Sequence, residues 1–416
     1  VTPKEVDDAL QAMRGLFAET PLQFNDHLSA RYGANVYLKR EDLTPVRSYK
    51  IRGAFNFLRK IVADSPADTT FVCASAGNHA QGFAFVCRHF GVQGVVFMPV
   101  TTPQQKIDKT RTFGGEFITI RLVGDIFDQC YSAARDHVEA IGGYMVPPFD
   151  HADIIEGQAT VAAEIVQQLP EGVTPDLVVM PVGGGGLSSG MTGYLANRLP
   201  TDAMVFCEPA GAPSLRKSLE AGTVVTLPKV DNFVDGAAVA RIGDHNFAAL
   251  KHFRPDQVVI VPENAICVTM TEMLNVEGVV LEPAGALSLA ALDLLPPDTI
   301  AGKTIVAVVS GGNFDFDRLP DVKERAMRYS GLKKYFILRL PQRPGALRDF
   351  LNLLGPEDDI ARFEYLKKSA RNFGSILIGI ETGHRDNFAG LFARFETAGL
   401  GFEDITDNEI LANLII

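Results

Sequence analysis

The stretch Asp176-Leu177-Val178-Val179-Met180-Pro181-Val182-Gly183-Gly184-Gly185-Gly186-Leu187 reads as a short apolar strand that runs into four glycines and then a helix start. Strand, glycine turn and helix in that order are the local pattern of an open α/β sheet, which binds ligands beyond the carboxyl ends of its strands. Four consecutive glycines are costly in conformational entropy, so the run needs a physical reason. Bare backbone at Gly183, Gly184, Gly185 and Gly186 can bring several N–H groups close to an anion, and a helix beginning near Leu187 adds its positive end. The spacing matches neither the dinucleotide fingerprint nor the lysine-bearing nucleoside-triphosphate loop. A tight turn without a ligand is the plainer alternative.

Outward from this stretch, β-branched runs alternate with helical patterns over residues 35–310. Strands are expected at 35–39, 70–74, 94–98, 116–121, 176–181, 203–207, 257–261 and 303–309. Helices are expected at 48–62 and 78–89, and Thr102-Pro103 suggests a capped start before Gln104. Two further strand ends run into turns rich in Ser and Gly, Ser75-Ala76-Gly77-Asn78-His79 and Ser310-Gly311-Gly312-Asn313. Residues 317–332 are charged and helix-forming, which suggests a neck. Residues 333–416 then read strand, helix, strand, strand, helix, extended, the order of a ferredoxin-like unit.

Composition excludes several function classes. The net charge of −11 argues against a nucleic-acid partner. With no run of eighteen apolar residues a membrane span is not expected, and the polar N-terminus lacks a secretory pattern, so a cytoplasmic protein is expected. Five scattered cysteines among apolar neighbours suggest buried thiols rather than disulfides or a zinc site.

Lys50 lies in Ser48-Tyr49-Lys50-Ile51-Arg52-Gly53-Ala54, and alone it could be one more surface cation. Its company changes that. This heptapeptide, Ser75-Ala76-Gly77-Asn78-His79-Ala80-Gln81-Gly82, the run from Gly183 to Leu187, Glu282-Pro283-Ala284-Gly285-Ala286 and Ser310-Gly311-Gly312-Asn313 resemble, in order, the motifs of the fold-type II pyridoxal-phosphate (PLP) enzymes, in the branch holding threonine and serine dehydratases. The resemblance covers about residues 5–315.

It implies a catalytic unit over residues 1–316 with two lobed, open twisted sheets, the smaller and mobile lobe at about 45–145. It implies that Lys50 carries the cofactor and serves as the base for the substrate's α-proton. Asn78 would bond the ring hydroxyl oxygen, although its position also suits a helix cap. Gly183, Gly184, Gly185, Gly186 and Leu187 would cradle the phosphate. Ser75, Ala76, Gly77, Asn78 and His79 would receive the substrate carboxylate through backbone N–H groups and the Ser75 hydroxyl. Ser310 would face the ring nitrogen with a neutral hydroxyl, which makes the ring a weaker electron sink and favours β-elimination; otherwise its loop is a plain turn. Glu282 would lie near the ring, unless it is a surface group before Pro283, and Asp235-Gly236-Ala237 more weakly resembles another segment there. Glu208 falls where related enzymes coordinate a metal, but Pro209-Ala210-Gly211-Ala212 offers no second carboxylate, so no metal is expected. Serine racemases carry a serine where Ala76 stands, so dehydration is expected over racemisation.

Lys334 to Leu347 resembles the first strand and turn of ACT-like amino-acid-binding domains, with Arg343-Pro344-Gly345 at the turn. This implies a biosynthetic threonine dehydratase making 2-oxobutyrate and ammonia. Isoleucine, and valine as its antagonist, would act through residues 333–416 in a homo-oligomer, a dimer of dimers. Alternatives are a mere dimerisation surface for that unit, and for the whole chain a serine-preferring dehydratase, a β-replacement synthase or a non-catalytic amino-acid sensor.

Overall fold

The computed structural model describes residues 2–366 and 373–408. The chain separates into two compact units, Val1–Asp315 and Phe316–Ile416.

The first unit holds two sheets. The larger has six strands in the order Leu22–Phe24, Asn35–Arg40, Thr304–Val309, Leu177–Pro181, Met204–Pro209 and Val258–Val261. Only the first pair is antiparallel; the other pairs are parallel. The strand Thr304-Ile305-Val306-Ala307-Val308-Val309 lies inside the sheet, with residues 305–309 fully buried. A β-branched run without alternation is what a strand covered on both faces requires. Among its covers is the helix Pro283–Leu292, which is apolar all round, buried throughout and opened by proline in its first turn.

The smaller sheet is wholly parallel, in the order Ile118–Leu122, Gln93–Met98, Thr70–Ala74 and Tyr144–Met145. The chain leaves Thr70–Ala74 for a neighbour on one side and later returns on the other. A crevice opens at such a reversal, beyond the carboxyl end of the strand, and residues 75–77 follow there. The helix Lys50–Val62 packs in this lobe through Ile51, Ala54, Phe55 and Leu58.

One feature of the lysine helix is electrostatic. Arg52 is fully buried, with Nε 2.7 Å from Glu41 Oε2 and Nη2 2.8 Å from Glu164 Oε2. Lys39 Nζ reaches the same Glu164 oxygen at 2.7 Å, and Arg14 also pairs with Glu164. Burial disfavours the charge on Arg52, yet its two carboxylates raise its pKa. Such a network contributes little net stability but fixes geometry, here tying the helix Lys50–Val62 to the helix Ala152–Gln168 and the strand Asn35–Arg40.

Local differences from the sequence reading have simple causes. The helix Gln104–Gly114 starts where expected, but Pro103 itself takes the cap position, and the Thr102 hydroxyl instead donates to Pro99 O at 2.7 Å. Glu116 lies in a 3-10 turn ahead of the strand Ile118–Leu122. Leu22–Phe24 and Tyr144–Met145 are too short to show alternation.

The second unit has an antiparallel sheet in the order Asp359–Leu366, Phe373–Glu381, Lys333–Pro341 and Gly401–Asp404. With the helices Ala346–Leu351 and Asn387–Thr397 this is the ferredoxin-like order, around a core rich in phenylalanine: Phe336, Phe350, Phe388 and Phe395. Residues 409–416, the end of the expected ACT-like segment, lie outside the described residues. The charged helix Leu319–Tyr329, expected as a neck, belongs to this unit, where Glu324 accepts from Tyr335 Oη at 2.9 Å and Lys333 Nζ at 2.6 Å.

Candidate active site

Lys50 opens the first turn of its helix, and its Nζ donates to Pro148 O at 2.8 Å. The amine lies 5.4 Å from the centre of the Tyr49 ring and 5.8 Å from that of Phe149. Burial pushes the Lys50 pKa down to about 8 against the opposing pull of Glu282. Desolvation disfavours an ammonium, so this lysine reaches its neutral, proton-accepting form far more easily than a surface lysine. The backbone before it is stitched to the Ser310 loop: Tyr49 N donates to Ser310 O at 3.2 Å and Gly312 N to Arg47 O at 2.9 Å. Arg47 takes the left-handed conformation, φ 62°, alone among the described non-glycine residues. Such a conformation costs free energy and persists only where the surroundings enforce it.

Two helix N-termini flank the lysine. The helix Asn78–Phe90 begins after Gly77 without a side-chain cap, and so does the helix Gly186–Leu195 after Gly185. Uncapped N-termini leave N–H donors and a positive dipole end available to anions. Ser75 Oγ accepts from Gly77 N at 3.2 Å, which shapes the first loop. His79 is buried; its Nε2 lies 2.9 Å from Val146 O, and burial, reinforced by Lys50, pushes its pKa down to about 3, so it is a neutral group holding backbone. The role expected of His79 toward a substrate carboxylate is through its backbone N–H, and a side chain held at Val146 O is compatible with that.

The glycine run is tightly packed. A Cβ on Gly184 would overlap the Phe149 ring, and Gly185 combines φ +91° with a space that ends 2.9 Å away at Asn246 Cβ. Asn246 Nδ2 donates to Gly184 O at 2.7 Å, and its Oδ1 accepts from Ser189 Oγ at 2.7 Å.

Asn78 Nδ2 donates to Glu282 Oε1 at 2.6 Å, and Asn78 Oδ1 accepts from Asn313 Nδ2 at 2.7 Å. Glu282 is buried, and burial together with Asp235 pushes its pKa up to about 7. The Ser310 hydroxyl is buried and donates to Ala284 O at 3.0 Å. The five motifs, far apart in sequence, therefore meet around one lysine. Sequence reasoning missed Phe149, Pro148, Asn246, Lys106, Lys109 and the holding role of Asn313. Apart from Asn313, which lies in the Ser310 motif, each arrives from a segment with no chemical signature of its own. Glu208 is buried and accepts from Leu215 N at 2.7 Å and Arg216 N at 2.9 Å, so it caps the helix Ser214–Ala221.

Residues 13–311 match the family of pyridoxal-phosphate dependent enzymes, and residues 324–415 match the C-terminal regulatory domain of threonine dehydratase. The chain is 46% identical over 414 residues to the biosynthetic L-threonine dehydratase IlvA of Bacillus subtilis, covering 99% of this chain and 97% of that one. The chain belongs to the biosynthetic threonine dehydratases. Within this family it is 48% identical to the Mycobacterium tuberculosis protein, over 96% of this chain and 92% of the relative. Among solved structures, threonine deaminase isoform 2 of Solanum lycopersicum superposes with a TM-score of 0.70 at 34% identity, covering 78% of this chain and 93% of that one.

The dehydratase cofactor, PLP, suits the residues present. Its phosphate dianion matches the uncapped N-terminus behind Gly185, its aldehyde the lowered-pKa amine of Lys50, and its ring the neutral hydroxyl of Ser310. A methyl group at Gly77 would meet nothing within 4 Å, so open space lies at the start of the helix that bears Asn78.

Proposed function

We propose that the protein removes water and then ammonia from L-threonine to give 2-oxobutyrate, with Lys50 as attachment point and base. The observation that carries this is the buried Lys50 amine, which donates to Pro148 O at 2.8 Å beside Phe149, the ring packed against Gly184, in a chain 46% identical to a biosynthetic threonine dehydratase. When bound, PLP supplies the electron-withdrawing ring that lets the substrate's α-C–H ionise. Backbone N–H groups from Ser75 to His79 bind the substrate carboxylate, and those of Gly183 to Leu187 bind the cofactor phosphate. Asn78 and Glu282 set the ring's tilt. Ser310 offers the ring nitrogen no charge, only a hydroxyl that would turn from Ala284 O to donate to it, which supports loss of the β-hydroxyl over reprotonation. Ala76 has no group to serve as an acid or base on the opposite face, which supports dehydration over racemisation.

The second unit supports regulation by a small amino acid. It holds a cavity of about 150 Å³ lined by Leu340, Ala346, Leu347, Tyr365 and Ile376, with Arg343 on its wall. Such a site suits a branched aliphatic side chain with a carboxylate, and isoleucine as inhibitor with valine opposing it fits that chemistry. We expect a cytoplasmic dimer of dimers.

The test measures oxo-acid release from threonine and serine with and without isoleucine, alongside borohydride reduction and mapping of the labelled peptide. The expected result is faster turnover of threonine, inhibition by isoleucine and label on Lys50. Lys50→Ala should lose at least ~10³-fold in kcat. Equal rates with both amino acids and no isoleucine response would remove the biosynthetic assignment, and an unlabelled Lys50 would remove the enzyme assignment.

A further inference from the structure

We propose that Asn313, held by Lys109, is the positioning residue that fixes which end of the Asn78 amide faces the cofactor. The inference rests on the placement of Asn78 against the cofactor ring oxygen proposed above.

A side-chain amide offers an oxygen that only accepts and a nitrogen that only donates, and a half-turn exchanges the two. Asn78 serves its proposed partner only with nitrogen toward the ring oxygen, so something must forbid the half-turn. Glu282 alone does not. It is buried, and a protonated carboxyl could donate to an amide oxygen as readily as a carboxylate accepts from its nitrogen.

Asn313 supplies the missing constraint, because each of its polar atoms meets a group with a fixed role. Its Nδ2 donates to Val46 O at 2.8 Å and to Asn78 Oδ1 at 2.7 Å, which uses both of its hydrogens. Its Oδ1 accepts from Lys109 Nζ at 2.9 Å. A backbone carbonyl can only accept and an ammonium can only donate, so Asn313 cannot turn round without opposing like to like at both ends. With Asn313 locked, Asn78 Oδ1 is committed to it. Asn78 Nδ2 must face the site, where one hydrogen goes to Glu282 Oε1 at 2.6 Å and the second is left for the ring oxygen.

Lys109 adds charge to this chain of donors. It is half-buried on the helix Gln104–Gly114 of the smaller lobe, whereas Asn313 follows the central strand of the larger sheet. One turn earlier on that helix, Lys106 pairs with Asp235. The charged groups facing Lys109 are Glu282, Arg47 and Asp315, and those acting on Glu282 include Asp235, Lys106 and Lys109. Lys50 completes the set. A hydrogen bond donated to the ring oxygen favours its ionised form, so loss of that bond moves the oxygen's protonation to higher pH.

The test is pH titration of the holoenzyme's visible absorption band, with kcat and KM for threonine, in three variants. Asn313→Asp keeps the shape, but an acceptor replaces the donor, and Asn78 must turn its nitrogen away from the site to meet it. The expected result is a titration midpoint raised by about one unit and kcat lowered about tenfold, with KM changed less than about threefold. Lys109→Met should move both in the same direction by less, and Lys109→Arg, still a donor without an acceptor, should restore wild-type values. If Asn313→Asp does not fold, Lys109→Met decides. Folded variants with unshifted midpoint and kcat overturn the proposal. So does an Arg variant as impaired as Met, which would mark a purely steric role. A wild-type protein with no visible band would fail the cofactor assignment itself and the proposal with it, a result distinct from an unshifted band.

Discussion

The loops at Ser75–Gly77 and Gly183–Gly186 face the same lysine, and each ends in an uncapped helix, yet they are built in opposite ways. The second is clamped: Phe149 fills the space beside Gly184, Asn246 bonds Gly184 O at 2.7 Å, and Gly185 is left-handed. The first is open: a side chain at Gly77 would meet nothing within 4 Å. Glycine thus has two meanings here. In one loop it lets protein approach protein, and in the other it leaves room. That difference suits a phosphate that stays and a carboxylate that comes and goes.

Gly184→Ala should have the largest effect. The added methyl collides with Phe149, so we expect a loss of about 1–3 kcal/mol in stability and more than tenfold weaker PLP retention, read by thermal melting and by cofactor titration. Adding Phe149→Ala should recover part of the stability loss, because the two residues are in contact and their effects do not add. Full additivity would mean that the ring is not what the glycine accommodates. Gly77→Ala should leave melting and PLP affinity within about twofold while raising the KM for threonine several-fold with little change in kcat, the pattern of lost uniform binding. A Gly77 variant that loses cofactor instead would erase the distinction between the loops.

The smallest effect concerns the group beside the open loop. Glu282 has a folded pKa of about 7, above its ordinary 4.5, so the folded state favours the protonated form. Stability from this source is complete below pH 4.5 and is lost as pH rises through 7. Glu282→Gln keeps an acceptor for Asn78 and removes the titration. Its melting temperature relative to wild type should therefore climb between pH 5 and pH 8 in the cofactor-free protein; a constant difference would show that the carboxyl does not titrate there.

Much of this was legible in the sequence because parallel strands buried on both faces leave undisguised β-branched runs, as at residues 304–309, and because glycine and serine cluster where strands end. The boundaries of the helix Asn78–Phe90 and the strand Thr70–Ala74 follow from such signals. What stayed hidden has a common cause. Phe149, Asn246 and Lys109 act by reaching across the fold, and a phenylalanine or lysine in an ordinary segment carries no mark of its distant partner. Glu282 was readable as a motif residue, but its burial and its bond to Asn78 depend on packing that no local pattern records. The hold of the His79 side chain on Val146 O is hidden for the same reason, since Val146 lies 67 residues away.

The place of Thr304–Val309 between Asn35–Arg40 and Leu177–Pro181 has a consequence for how the protein is made. Thr304 pairs with Asn35 and Ile305 with Leu177, so the middle of the larger sheet is the last of its strands to be synthesised. Until then the growing chain carries a gap, with apolar strand edges exposed on either side, and the contacts that close it span most of the unit. The residues that directly follow, Ser310 to Asn313, complete the proposed cofactor pocket. A ribosome must therefore complete the catalytic unit before the nascent protein can take up its cofactor, and a chain cut short of that strand is left with the hazard of the open sheet and none of its chemistry.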